Sequence, residues 1–407
     1  ITMSEGKTIA RKEIHATLNL CNFCIRRIGL SFIDEPPKTI YGKFKGIFTL
    51  ITSSSLLVLM LLGEISYVIG QILNATSIEE FVGSNLHIAG YGTLSFGKLL
   101  TIWYKRHTFR QLMSELEEIW PVSIQYNGAE IKSSSLSALK QRQNLYAFWN
   151  ILGVTFYDLT PIAVVLYRLI RGMPAALGYV WQMYYPFDKT KLISHIFVYI
   201  FEIAAGLVSV FCMLGSDLFF MTMSSHISML LRLLQEQIRN LGFHTDDDCY
   251  KDVVAVVKIH QRLISYIKDL EAAFAIINLM NVMLSSVNIC FVMFCIVFLD
   301  SWMEMSNKFY LGAVVTEMGV ICWYADDIYR ASVGVADAVY ESGWYNSNKK
   351  SQRAMLVVLQ RSQKPLYFSA WKFRAITMMT YSSITTCPIY YLYLLSIQWT
   401  VNQIFYT

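Results

Sequence analysis

The chain has 407 residues, 55% of them hydrophobic and 15% charged, where an ordinary soluble domain carries roughly 25% charged residues. A mean hydropathy of +0.41 and an aromatic content of 14% exclude a water-soluble enzyme and turn the question to how often the chain crosses a bilayer. The net charge of +5 is no nucleic-acid signature, because the basic residues lie in loops between apolar runs, where membrane orientation puts them.

In chain order, 1–45 reads as a polar, amphipathic cytoplasmic N-terminal segment. Its Gly6-Lys7-Thr8 lacks the upstream glycine and strand of a phosphate-binding loop. Cys21 and Cys24 have zinc-ligand spacing, but a structural site needs four ligands and no second such pair exists. A hydrocarbon core about 30 Å thick takes about 20 mostly apolar helical residues, and seven stretches qualify: 46–70, 81–103, 145–168, 192–223, 274–299, 309–325 and 375–400. All seven are expected to be helices, since a strand edge or loop exposed to lipid leaves backbone groups unpaired. The second is the weakest, interrupted by Asn85, His87, Gly90, Gly92, Gly97 and Lys98; the fifth, Phe274 to Leu299, carries no charge. The expectation is an all-α integral membrane protein: 46–325 forms a bundle of six transmembrane helices, 326–374 a set of cytoplasmic helices, and 375–407 a seventh helix with a short external tail. In the internal segments 227–268 and 326–372 apolar residues recur at helical spacing, as in Val335 and Val339, then Met355, Val358 and Leu359, so the spans are expected to continue into the cytosol as helices.

Orientation follows from the 34 Lys and Arg residues. Segments 1–45, 104–144, 224–273 and 326–374 hold 28 of them, and the intervening loops hold five. The N-terminus is therefore expected inside and the C-terminus outside, the reverse of a G-protein-coupled receptor. Asn74-Ala75-Thr76 is a glycosylation sequon in the first external loop. None of the eight cysteines falls in a proposed external loop, so no external disulfide is expected.

Catalytic patterns are poor. The seven histidines form no HExxH motif, and neither a metal nor a cofactor is expected. Ionisable groups inside the spans each cost a few kcal/mol unless paired or facing water; they are Glu64, Asp158, Glu202, Asp217 and Glu317, with Lys98 expected to snorkel toward the cytosol. The external halves of spans two to six bring together Phe81, His87, Tyr91, Tyr157, Tyr199, Phe309 and Tyr310, with Asn85 and Thr316 among them. Aromatic bodies with a polar tip suit a small semi-volatile molecule. The last span is rich in hydroxyls from Thr377 to Thr386, followed by Pro388 and Tyr391. It is either tied to its neighbours by hydrogen bonds or lines a conduit. In the second case Leu394 and Gln398, four apart on one helical face, form successive rings, the first gating by dewetting and the second permissive to ions.

Cys322-Trp323-Tyr324, Ser332, Ala336-Asp337-Ala338-Val339-Tyr340, Trp344-Tyr345, Arg361-Ser362-Gln363-Lys364-Pro365-Leu366, Lys372-Phe373, Thr380-Tyr381 and Tyr391 together resemble the insect odorant receptors. The resemblance implies a tetrameric, ligand-gated, non-selective cation channel of the plasma membrane of olfactory sensory neurons, with no G protein, no nucleic acid and no enzymatic activity. It implies that the cytoplasmic helices anchor the assembly, that the last helix lines the pore, and that the odorant sits in the outer half of the bundle. Counted from Tyr391, the gate position falls on Leu394 and the outer pore position on Gln398. The loop between spans four and five runs only from 224 to 273, shorter than in the family's co-receptor (Orco). That points to an odorant-tuned subunit of a heterotetramer with the co-receptor. Pro388 departs from the small hydroxyl residue that many relatives have there. The alternative is a homomeric gustatory-type channel, whose last helix ends in a Thr-Tyr...Gln-Phe pattern; Thr380-Tyr381 is present and the Gln-Phe is not. A transporter or enzyme working through Asp158, Glu202 or Glu317 is a third class.

Overall fold

The computed structural model describes residues 3–34, 39–74, 86–122, 126–174, 177–181, 183–242, 247–298, 305–372 and 374–386. Among these, the architecture is helical: α1 (Met3–Arg27), α2 (Ile40–Asn74), α3 (Leu86–Ile119), α4 (Tyr126–Ile170), α5 (Leu192–Arg239), α6 (Asp247–Phe298), α7 (Met305–Glu341) and α8 (Lys349–Ser362), then α9 at 378–386. The described parts of the first six expected spans fall in α2 to α7, with 81–85 and 299 outside the described residues, and 378–386 of the seventh form α9. Among the described residues, α2, α4, α5 and α6 are each long and apolar enough to cross a membrane by themselves. Helices α3 and α7 fall short of that apolarity, and they carry Lys98 and Glu317.

The helices continue beyond the expected spans. At about 1.5 Å per residue, the 48 residues of α5 span about 72 Å, more than twice the hydrocarbon thickness; the 52 residues of α6 run further still. Helix α5 is the hub, packing against α1, α2, α3, α4, α6 and α7. In its most apolar 18-residue window 44% of residues are buried inside the bundle, against 17% for α2 and 11% for α4. The last two therefore spend their apolar surface on lipid, as exposed Ile51, Leu59, Leu62, Phe148, Ile151 and Leu166 indicate.

The glycines that weaken the second span in sequence let α3 approach its neighbours. A Cβ on Gly90 would stand 2.0 Å from Asn288 Oδ1, and one on Gly97 2.6 Å from Met280 Sδ, both on α6. Small residues at such crossings are what membrane helices use to pack closely. At the end of α1, Gly29 has φ +82, a left-handed conformation that favours glycine, and Leu30 N donates to Ile25 O at 3.0 Å to close the helix. Beside α1, Cys21 Sγ donates to Gly215 O at 3.2 Å, and both Cys21 and Cys24 are buried against the bundle.

At the cytoplasmic boundary an aromatic cluster joins the elements. Phe109 lies 5.1 Å from Phe219 and 5.0 Å from Phe274, Phe32 lies 5.2 Å from Phe219, and Phe220 lies 5.1 Å from both Phe274 and Phe368. Phe368 opens a tight turn in which Ile376 N donates to Phe368 O at 2.8 Å and Ala370 N to Arg374 O at 2.9 Å. That turn connects the cytoplasmic helices to α9.

Candidate functional site

In the outer half of the bundle, α3, α4, α7 and the external loop enclose a cavity lined by Tyr91, Asn150, Gly153, Val154, Tyr157, Trp181, Tyr310, Ala313, Val314 and Glu317. The space open to the centre of a water-sized sphere is about 40 Å³, enough for about three or four waters at roughly 10–15 Å³ each. Its walls are aromatic: Tyr91 and Tyr310 meet edge to face at 5.9 Å, and Tyr157 stacks on Trp181 at 5.0 Å.

The roof is held by one carboxylate. Glu202 Oε2 accepts from Val180 N at 2.7 Å and Trp181 N at 3.3 Å, its Oε1 from Tyr185 Oη at 2.8 Å, and its backbone carbonyl from Trp181 Nε1 at 3.2 Å. A carboxylate buried among apolar groups needs such donors to offset its lost hydration. The external loop is thus clamped onto α5, and the clamp aims the Trp181 indole into the cavity.

The floor is an ion network. Lys98 Nζ lies 2.7 Å from Asp217 Oδ1 and 2.7 Å from Glu317 Oε1, with all three residues buried. Tyr146 Oη donates to Asp217 Oδ2 at 2.9 Å. Four helices, α3, α4, α5 and α7, meet in this network, and its Glu317 also lines the cavity. The expectation that Lys98 snorkels to the cytosol is corrected here: two carboxylates within reach inside the bundle outbid the distant water. Among the described residues, both carboxyl oxygens of Glu64 and Oδ1 of Asp158 are buried without a hydrogen-bond partner. Among the described residues no cluster of His, Cys, Asp and Glu could hold a metal ion.

Of the residues expected to bind a ligand, Tyr91, Tyr157 and Tyr310 line the cavity. Tyr199 stands beside it, its Oη donating to Asp158 O at 2.6 Å. Phe309 stacks on Phe156 at 4.7 Å and Thr316 is exposed, donating to Gly312 O at 2.7 Å; neither is in the lining. Phe81 lies outside the described residues, as do the side chains of His87 and of the sequon's Asn74. The same holds for Pro388, Tyr391, Leu394 and Gln398. Trp181, Asn150 and Glu317 join the site without having been singled out for it; for Trp181 the signal in sequence was the aromatic-rich external loop.

A family model described as "7tm Odorant receptor" matches residues 78–388. Odorant receptor 49a of Drosophila melanogaster is 23% identical over 379 residues, which cover 90% of this chain and 93% of that protein. Odorant receptor 13a of the same fly is 24% identical over 81% of this chain and 83% of its own length. The fold is similar to the solved structure of the insect olfactory receptor OR5 from Machilis hrabei, with a TM-score of 0.79, 17% identity and coverage of 95% of this chain and 98% of that one. Its complex with eugenol superposes with a TM-score of 0.77, at 17% identity, covering 96% and 99%.

Proposed function

From the premise that this chain belongs to the insect odorant receptor family, we propose that it is the odorant-binding subunit of a heterotetrameric cation channel, assembled with the family co-receptor in the plasma membrane of olfactory sensory neurons. The observation that carries this reading is the aromatic cavity under a clamped loop, floored by Glu317. A volatile molecule burying about 300 Å² of apolar surface gains on the order of 7 kcal/mol before association costs, which corresponds to micromolar or weaker affinity.

The size of the cavity bears on mechanism. With room for only a few waters, it admits an organic ligand by moving Tyr91, Tyr157, Trp181 or Tyr310. A ligand shifts the closed–open equilibrium only by its difference in affinity for the two states, and a conformer with a wider cavity is the one it favours. Leu394 and Gln398 are the gate and outer ring of the pore in this proposal.

Recording odorant-evoked currents from cells expressing the chain with and without the co-receptor tests the proposal. Currents only in the pair support it. Currents from this chain alone favour the homomeric reading, and silence to a broad odorant panel in both cases refutes the receptor role.

A further inference from the structure

On the cytoplasmic side, where α6, α8 and the connection to α9 meet, the surface opens into a cavity of about 570 Å³. Lys268, Arg361, Lys364 and Lys372 line it, with Glu271 as the one carboxylate, and that carboxylate already accepts from Ser369 Oγ at 2.5 Å. Among the described residues none of the four cations forms an ion pair. Arg361 Nη1 donates to Lys364 O at 3.0 Å, which fixes the guanidinium beside that lysine's backbone.

The turn that presents Lys372 is built rather than slack. Trp371 and Lys372 have φ of 46 and 61, a left-handed backbone that residues with a Cβ adopt only when held. The hold comes from Ser369 Oγ, which accepts from Lys372 N at 2.9 Å, and from the two backbone bonds across the turn.

Depth in the membrane follows from α6. Its apolar span starts at Phe274, and Ile267 and Lys268 lie about 10 Å below at 1.5 Å per residue, near the headgroup layer that flanks the hydrocarbon. Tyr367 and Trp371 are exposed there, the position that amphipathic aromatics take at a bilayer interface. With the N-terminus inside, this is the cytoplasmic leaflet, which carries the anionic lipids.

We propose that this cavity binds the phosphorylated headgroup of an anionic lipid of the inner leaflet, with Arg361, Lys364, Lys372 and Lys268 taking the phosphate oxygens. A volume of this size lies in the range of small-molecule sites, and a planar guanidinium pairs two phosphate oxygens at once. The headgroup bridges α6 and α8 to the turn that leads into α9, so its occupancy biases how the last helix leaves the membrane surface. The inference rests on the inside-facing N-terminus and is independent of whether the outer cavity binds an odorant.

The test is a titration of the purified full-length chain with dioctanoyl phosphatidylinositol 4,5-bisphosphate, dioctanoyl phosphatidylcholine and inositol 1,4,5-trisphosphate. The bisphosphate lipid is expected to bind saturably and to weaken with added salt, while phosphatidylcholine does not bind. Removing cations costs roughly fivefold each, hence about twenty-five-fold for K364Q/K372Q, whereas K364R/K372R retains the affinity and so separates loss of charge from loss of fold. Tighter binding of the lipid than of the free trisphosphate assigns the source to the membrane; equal binding assigns the phosphate site to a soluble headgroup and overturns the lipid assignment. Equal affinity of wild type and K364Q/K372Q for the bisphosphate lipid overturns the proposal outright. So does a K364Q/K372Q chain that loses its oligomeric state on size exclusion with lipid affinity unchanged, because the cavity then serves a neighbouring subunit.

Discussion

Replacing Lys98 by methionine removes the only cation of a buried three-charge network and leaves Asp217 and Glu317, each 2.7 Å from the lost Nζ, facing one another without compensation. Removing one partner of a buried ion pair costs about 3–5 kcal/mol, much of it the penalty of the stranded charge, and K98M strands two. The network carries two carboxylates against one ammonium, so E317Q, which leaves Lys98 paired with Asp217, is the mildest single change. D217N lies between them, because it also takes the charged acceptor from Tyr146, a bond worth about 1.5–3 kcal/mol. The triple variant K98M/D217N/E317Q carries no charge and is expected to recover most of what K98M loses. The assay is thermal melting of the detergent-solubilised full-length chain followed by size exclusion, with surface labelling as the cellular readout. The expected order of stability is wild type, then E317Q, D217N and K98M, with the triple variant above K98M. An E317Q chain that melts as low as K98M, or a triple variant no better than K98M, refutes the charge-balance argument.

Three further outcomes are expected. Gly29→Ala forces a side chain into φ +82 and puts a Cβ 2.3 Å from Leu50 N and 2.6 Å from Gly46 O; the backbone conformation alone costs about 1–2 kcal/mol, the clash adds to it, and surface expression should fall sharply by cell-surface labelling. Burial, helped by Lys132, lowers His226 to about 3, and burial, helped by Arg361, lowers His260 to about 4, while both sit near 6.5 when unfolded. The unfolded chain therefore takes up these protons first, so the stability is complete above about pH 6.5 and drains away as pH falls toward 4 and then 3; melting temperature should drop from pH 7.5 to 5.5, and less so in H226Q/H260Q. Glu202→Ala removes three hydrogen bonds to the external loop and leaves Trp181 held to residue 202 only through its indole N–H on the backbone carbonyl, so odorant dose–response curves in the presence of the co-receptor should shift to at least tenfold higher concentration with maximal current preserved.

The spans were legible because each is a local property: an uncharged run such as Phe274 to Leu299 admits few alternatives to a membrane helix. The helical continuations below the membrane were legible for the same reason, through apolar periodicity around Val335 and Met355. Tyr91, Tyr157 and Tyr310, which meet at one cavity, could be anticipated as outer-half aromatics, but the same pattern also drew in Phe309, which stacks on Phe156 and is not in the lining. Periodicity identifies a face without saying which neighbour covers it. The fate of Lys98 was illegible because its partners lie 119 and 219 residues along the chain, and no local pattern encodes a pairing across three helices. The role of Glu202 was hidden likewise, since its donors come from an irregular loop whose path the sequence does not specify.

Helix α5 runs unbroken by proline from the external loop to Arg239, clamped at its outer end through Glu202, pinned near its middle through Asp217 and sheathed by other helices over its inner half. A continuous rod held in this way cannot absorb a disturbance where it begins. Whatever tilts its upper end by a few degrees must sweep the far end through ångströms, so a change in the loop arrives in the cytosol as mechanical displacement, with no relay of separate contacts needed to carry it.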